Sequence, residues 1–151
     1  MALQMTRTND EAQIRALLDD WAEAVRAKNL DAIFAHYARD ILAFDAIGQL
    51  QFEGTEAYRK HWQACMAMCP GQMIFEVHDL TITASDEVAF CHFLSRCGGT
   101  GADGEEKVGW MRATAGLRKR GEKWLIAHEH FSAPFDPASG NALLGLQPSD
   151  R

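Results

Sequence analysis

The clearest regularity in the chain is a two-residue alternation from Glu106 to Ala133, broken once at Arg120–Gly121–Glu122. Alternation of this kind puts successive side chains on opposite faces of a strand. The break has the composition of a tight turn. The stretch therefore predicts two long strands, about Glu106–Lys119 and Lys123–Ala133, joined as a hairpin. In the first arm Trp110, Arg112 and Thr114 share one face, and Met111, Ala113, Ala115 and Leu117 share the other. In the second arm strict alternation groups Trp124, Ile126, His128, His130 and Ser132, and sets Leu125, Ala127, Glu129 and Phe131 opposite them. Glu129 is the one carboxylate on an otherwise apolar or small stripe.

Upstream the period changes. Ile14, Leu17, Leu18, Trp21 and Val25 fall on one helical stripe. Thr8 and Glu11 have capping-box spacing at its start, which leaves residues 1–7 as a frayed tail. Leu30, Ile33, Phe34 and Tyr37 suit one side of a short second helix. Ile41–Asp45 reads as a short strand and Ala46–Gly54 as a loop. Thr55 can cap a third helix over about residues 56–68, carrying Tyr58, Trp62, Cys65 and Cys69, and Pro70–Gly71 ends it. Gln72–Ala84 and Val88–Cys97 read as strands about a Ser85–Asp86 turn, followed by a glycine-rich loop. The segment after Pro134 holds turn residues and few anchors. No internal repeat and no long linker divides residues 1–151.

Composition narrows the setting. A chain of 151 residues suffices for one domain with a sizeable core. A net charge of -6 argues against nucleic acid or an anionic membrane as partner. No run of about 18 apolar residues is present, so no membrane helix is expected. The N-terminus lacks the apolar segment of a signal peptide, so the default location is cytoplasmic. There Cys65, Cys69, Cys91 and Cys97 are expected as free thiols.

Helices followed by long antiparallel strands indicate an α+β fold, in which a curved sheet with helices across one face leaves a cleft. The small residues around Ala113 and Ala115 leave volume, so their face is expected to line the cleft with Ala127, Glu129 and Phe131. The bulkier face, with Trp110, Arg112, His128 and His130, suits a homodimer contact between sheets, where aromatics and Arg are enriched.

In this order the elements resemble the nuclear transport factor 2-like superfamily, which includes ketosteroid isomerase and SnoaL-like proteins. The resemblance covers about residues 10–134. Trp124–Pro134 (WLIAHEHFSAP) is similar to the end of the association domain of calcium/calmodulin-dependent kinase II and to bacterial SnoaL-like proteins. Asn29–Gly48 is similar to the matching stretch of ketosteroid isomerase. The resemblance implies a curved antiparallel sheet with three N-terminal helices enclosing a cone-shaped pocket, a small-molecule ligand and no cofactor. It places the isomerase's catalytic aspartate on Asp45 and its oxyanion-hole tyrosine on Trp21, whose indole N–H donates one hydrogen bond but is no acid. The isomerase's second acid falls near Thr114 or Ala115. The pocket-facing basic positions of the kinase domain fall on His92, Ala115 and Phe131.

Each candidate has a structural reading beside the chemical one. Asp45 either acts in the pocket or ends its strand by binding backbone N–H groups of the next loop. Glu129 either pairs with Arg96 or His92, or stands unpaired among apolar groups with a raised pKa, ready for acid–base work. His128 and His130 share a strand face; the stronger reading makes them interface histidines near Arg112 and Ser132 rather than ligands. Trp21, Tyr58 and Trp62 are core aromatics that also suit a ligand wall, with Met111, Ala115 and Phe131 completing the lining. His61, Cys65 and Cys69 follow one another along one helix too steeply to close a metal tetrahedron, so no metal is expected. No nucleophile motif or phosphate-binding glycine loop is present.

Two function classes remain. One is a cofactor-independent isomerase, cyclase or dehydratase working on an apolar oxygenated ligand, with Asp45 as base and Glu129 or His92 as its partner. The other is a non-catalytic binding or oligomerisation module. In the sharper version both carboxyl groups reach one cleft walled by Trp21, Tyr58, Trp62, His92 and Phe131, and their pKa values split.

Overall fold

The structure is a computed structural model and describes residues 2–149. Three helices cover one face of a six-stranded sheet. The elements run α1 (Ala2–Arg26), α2 (Leu30–Phe34), β1 (Tyr37–Phe44), β2 (Phe52–Glu53), α3 (Gly54–Ala67), β3 (Met73–Ala84), β4 (Val88–Thr100), β5 (Glu106–Arg120) and β6 (Lys123–Ser132). The strand order is β2-β1-β6-β5-β4-β3. All neighbours are antiparallel except β1 and β6.

The expected stripe on α1 is the buried one, with Ile14, Leu18, Trp21 and Val25 in the core. The helix starts earlier than its capping signal suggests. Thr8 donates back to the Gln4 carbonyl, one turn inside the helix, so no capping box forms. The first turns carry exposed Leu3 and Met5 and overhang the body, whose first buried contact is Asp10. At the other end Lys28 adopts φ 55, the left-handed conformation that terminates helices. Arg26 donates to the Phe75 carbonyl at 2.8 Å, and Lys28 to that of Cys69. The end of α1 is thereby tied to the start of β3. Asn29 caps α2 by accepting from the Ala32 N–H. Tyr37, expected on that helix, instead opens β1.

The hairpin register departs from strict alternation. Gly116 faces His128, but Leu117 faces Ile126, so Ala127 is an extra residue. A bulge of one residue exchanges the two faces of a strand beyond it. Trp124 and Ile126 therefore lie in the core, together with Glu129 and Phe131 beyond the bulge. The expected grouping of Trp124 and Ile126 with His128 and His130 is corrected by this bulge. On β4 the buried residues are Ala89, Cys91, Phe93 and Ser95.

The segment after β6 is better anchored than its composition suggests. Leu143 donates to the Pro134 carbonyl at 2.8 Å, and the Leu144 carbonyl accepts from Trp110 N–H at 3.0 Å, taking the lane beside β5 that β6 vacates. Gly109 makes room for this strap, since a Cβ there would lie 2.9 Å from Leu144 Cβ. All four cysteines are free thiols.

Buried Asp10 ties α1 to the hairpin. Its Oδ1 accepts from Lys119 Nζ at 3.0 Å and from Trp124 Nε1 at 3.2 Å. Asp10→Ala leaves the indole N–H and the ammonium without their acceptor. It is expected to destabilise the fold by about 1–3 kcal/mol, read as a lowered urea midpoint at unchanged m-value.

Candidate functional site

The bulge at Ala127 brings Glu129 inward, opposite Ala115 on β5 and Ala43 on β1. Neither neighbour fills the space over it, and aromatic groups from the helices and β1 close in instead. Tyr58 projects from α3 and donates its hydroxyl to Glu129 Oε2 at 3.1 Å. The Tyr37 hydroxyl also hydrogen-bonds the carboxyl and itself accepts from Trp21 Nε1 at 3.0 Å. Glu129 is 2% exposed, and its Oε1 has no hydrogen-bond partner among the described residues.

At the end of β1 the chain turns out of the sheet at Asp45. Its Oδ1 accepts from Ile47 N–H at 3.0 Å, which shapes the loop. Its Oδ2 points the other way, 3.5 Å from the Tyr58 hydroxyl and 3.3 Å from His61 Nε2. One oxygen thus ends the strand, as the structural reading of Asp45 has it, and the other faces Tyr58 and His61. His61 follows Tyr58 by one helical turn, so both meet the same carboxylate. Its ring stacks on Phe52 with centroids 4.2 Å apart.

Burial is the main cause that pushes the Glu129 carboxyl up to about 8, with nearby Asp45 adding to it against the opposing Tyr37 and Tyr58 hydrogen bonds. Near neutral pH Glu129 is thus mostly a carboxylic acid. Burial, followed by the charge of Glu129, also holds both tyrosines well above their ordinary range, so they remain donors.

The Tyr58 hydroxyl stands between the two carboxyl groups, but they do not border one cavity: Glu129 lines the small interior one and Asp45 an outer groove. Trp21, Ala115 and Phe131 line a cavity of about 10 Å³ beside Glu129, with Leu18, Phe93 and Ala113. Trp62 packs edge-on to Tyr58 at 6.1 Å, and Met111 packs against the core farther along β5. His92 does not reach the cleft. It sits between buried Cys91 and Phe93 and is exposed on the opposite face of the sheet, because alternation on β4 is unbroken there. Arg96 pairs with Glu76 at 2.7 Å on that outer face, so neither proposed partner of Glu129 meets it. Trp21 spends its N–H on Tyr37 rather than on the cavity.

Trp110, Arg112, His128 and His130 occupy the outer face. Arg112 donates to Ser132 Oγ at 3.2 Å, and His128 lies 2.6 Å from the Leu42 carbonyl. Phe44 rests edge-on against both histidines. Of the helical trio considered for metal, His61 and Cys65 are neighbours, while Cys69 turns to the Gln72 and Thr100 carbonyls. Tyr37 and His61 are the members of the cluster that the sequence reading missed. The signal for His61 was its spacing of one turn from Tyr58.

Two open grooves flank the loop after Asp45. One of about 830 Å³ lies along α3 and includes His61, Glu53, Glu56 and Lys60. The other, about 600 Å³, includes Asp45, Leu50 and His130. Among the described residues no helix is long and apolar enough to cross a membrane.

With the curved open sheet, its three covering helices and this cluster in place, the fold class is that of nuclear transport factor 2-like proteins. The SnoaL-like domain model matches residues 14–136, and the chain belongs to that family. An NTF2-like protein of unknown function from Pseudomonas putida KT2440 is 48% identical and superposes with a TM-score of 0.87, over 93% of this chain and 98% of that one. A protein of the NTF2-like family from Streptomyces avermitilis, provisionally described as a dehydratase, is 14% identical with a TM-score of 0.74, over 83% and 97%. The association domain of C. elegans CaMKII is 13% identical with a TM-score of 0.67, over 84% and 98%. These last two share the fold alone. No functionally curated protein matches the chain in sequence.

The elevated Glu129 sets a direction for stability against pH. A carboxyl neutral in the folded state and free to ionise when unfolded favours unfolding once pH passes its unfolded value near 4.3. The loss grows as pH rises and is complete above the folded value of about 8. Glu129→Gln removes this titration. Its stability relative to wild type is expected to rise across that window, by on the order of a few kcal/mol. Urea midpoints at a series of pH values check it, and a difference independent of pH refutes it.

Proposed function

We propose that this SnoaL-like protein is a cofactor-independent acid–base enzyme for a neutral, apolar, oxygenated small molecule. The observation that carries this reading is the Tyr58 hydroxyl standing between Glu129 at 3.1 Å and Asp45 at 3.5 Å. Two carboxyl groups in unlike environments around one donor divide the labour of acid and base. Asp45, at the groove side, takes a proton from the ligand. Tyr58 and neutral Glu129 donate to the oxygen on which charge develops. Isomerisation, cyclisation and dehydration all draw on this pair of steps. The groups acting on Glu129 include no cation, so the interior favours a neutral ligand over an anion. The cavity next to Glu129 has room for about one water. A ligand therefore enters from the grooves beside Asp45 and His61 by displacing side chains. That small volume is also the observation favouring the second reading, a non-catalytic binding or assembly module.

Exchange of carbon-bound hydrogen separates the two. A panel of neutral ketones and enones is incubated with the protein in D2O, and deuterium gain next to the carbonyl is read by mass spectrometry. An acid–base enzyme accelerates exchange in at least one of them, and Asp45→Asn lowers the rate by a factor of about 10² or more. Ligand binding without exchange moves the assignment to the module.

The reading includes a homodimer through the outer sheet face around Trp110, Arg112, His128 and His130. Trp110 and Arg112 also border a groove of about 190 Å³ with Leu143 and Leu146 of the strap, and in this reading the strap flanks the contact. Light scattering is expected to give twice the chain mass at micromolar concentration, and Trp110→Glu to give the monomer. A wild-type monomer counts against the dimer.

A further inference from the structure

Glu129 is sealed from solvent, yet a group that gives up a proton must recover it. Its surroundings offer two hydroxyls leading in different directions. Tyr37 leads inward, because its oxygen accepts from Trp21 Nε1 and the indole N–H, a donor only, cannot take a proton in turn. Tyr58 leads outward, because its oxygen also lies within reach of Asp45 Oδ2, which in turn adjoins His61 Nε2 at 3.3 Å. The His61 side chain is 10% exposed and the Asp45 side chain 18%, and each borders one of the open grooves. Asp45 Oδ1 is held by the Ile47 N–H, which fixes Oδ2 as the oxygen turned to the chain of groups.

We propose that Tyr58, Asp45 and His61 form a proton path connecting Glu129 to water in the groove along α3, with His61 as the positioning residue that holds Asp45 Oδ2 in line and passes the proton outward. In the outward direction the Glu129 O–H gives its proton to the Tyr58 oxygen as the Tyr58 hydroxyl gives its own to Asp45 Oδ2. Asp45 then protonates His61 Nε2, and the imidazolium releases a proton from Nδ1 to water. Glu129 ends ionised, a water gains the proton, and no electron changes hands. The return path reverses these steps. The 3.5 Å gap from Tyr58 to Asp45 is the long step, and it closes with a small shift of the Asp45 carboxylate. The titratable groups facing Glu129 are Tyr37 from β1, Tyr58 from α3, Asp45 from the end of β1 and Cys91 from β4. Those facing His61 are Asp45 and Cys65. The inference rests on the acid–base reading for its use, but the path itself is testable without a substrate.

The test follows proton–deuteron exchange at the Glu129 carboxyl by infrared spectroscopy on protein mixed rapidly into D2O near neutral pH. The carbonyl stretch of the protonated acid is assigned by its loss in Glu129→Gln. In wild type the band is expected to shift much faster than the buried amides of β6 exchange. Tyr58→Phe keeps the ring and removes the relay hydroxyl, and is expected to slow the shift at least tenfold. His61→Gln keeps a polar side chain near Asp45 without a titratable ring and is expected to slow it less. Tyr37→Phe removes the other hydroxyl acting on Glu129, which lies off the path, and is expected to leave the rate within about twofold. Equal slowing by Tyr37→Phe and Tyr58→Phe overturns the path, because general opening then admits solvent. Unchanged exchange in Tyr58→Phe overturns it as well. If Tyr58→Phe fails to fold, wild type alone decides: a carboxyl exchanging no faster than the β6 amides has no path. Failure here leaves the ketone exchange assay and its Asp45→Asn result standing, so the two proposals fail separately.

Discussion

A carboxyl group buried without a cation is the constraint around which the interior is arranged. Moving an ionised carboxylate out of water costs several kcal/mol even after the surroundings relax. Glu129 avoids that cost by staying protonated near neutral pH, and two hydroxyls meet it. Those hydroxyls come from different elements, Tyr37 from β1 and Tyr58 from α3, and Trp21 of α1 is drawn in through Tyr37. One side chain of β6 thus gathers groups from α3, from β1 beside it in the sheet and, through Tyr37, from α1. Aromatic edges complete the packing: Trp21 meets Phe75 at 5.1 Å, and Tyr37 stacks on Tyr58 at 5.7 Å. The polar centre and the apolar wall are one structure, which is why the residues nearest Glu129 are also among the least exposed.

The chain contains a second buried acid whose partners are of the opposite kind. Asp10 is 1% exposed but accepts from an ammonium and an indole N–H. A neighbouring cation favours the charged carboxylate, whereas hydroxyls alone offset burial incompletely. Asp10 is therefore a structural anchor that joins α1 to the hairpin, and Glu129 is the buried acid whose carboxyl is pushed up. Sequence position separates neither; the donors that the fold delivers do.

What was legible in the sequence follows from the range of each signal. Alternation and helical stripes are local, so the strands of the hairpin, the buried face of α1 and the extent of α3 were readable from neighbouring residues. The family motifs around Asn29–Gly48 and Trp124–Pro134 gave the arrangement of helices over a curved sheet. Other features were not legible. Thr8 has the spacing of a cap, but helix continues through it because nothing upstream breaks it. Tyr37 satisfies a helical period with Leu30 and Ile33, yet pairing with β6 claims it for a strand. His92 was carried into the cleft by resemblance to a pocket position, whereas the parity of β4 turns it outward. In each case pairing or continuation over a longer range overrode a local pattern.

The bulge at Ala127 shows how one extra residue makes both buried acids workable. Trp124 must face the helices to reach Asp10, and Glu129 must face them to reach Tyr58. The two residues lie an odd number of positions apart on β6. An unbroken strand would put them on opposite faces, leaving either Asp10 without its indole donor or Glu129 on the outer face. Inserting Ala127 between them removes the conflict, with Ile126 paired to Leu117 on one side and His128 to Gly116 on the other. Gly116 and Ala127 are both small, which suits the crowding of a bulged strand. The anchor of α1 and the contact of Glu129 with Tyr58 are thereby locked to one register. A slip of the hairpin by one residue would dismantle both together, so the same irregularity that hid the core face of β6 from a simple alternation rule is what places Glu129 under Tyr58.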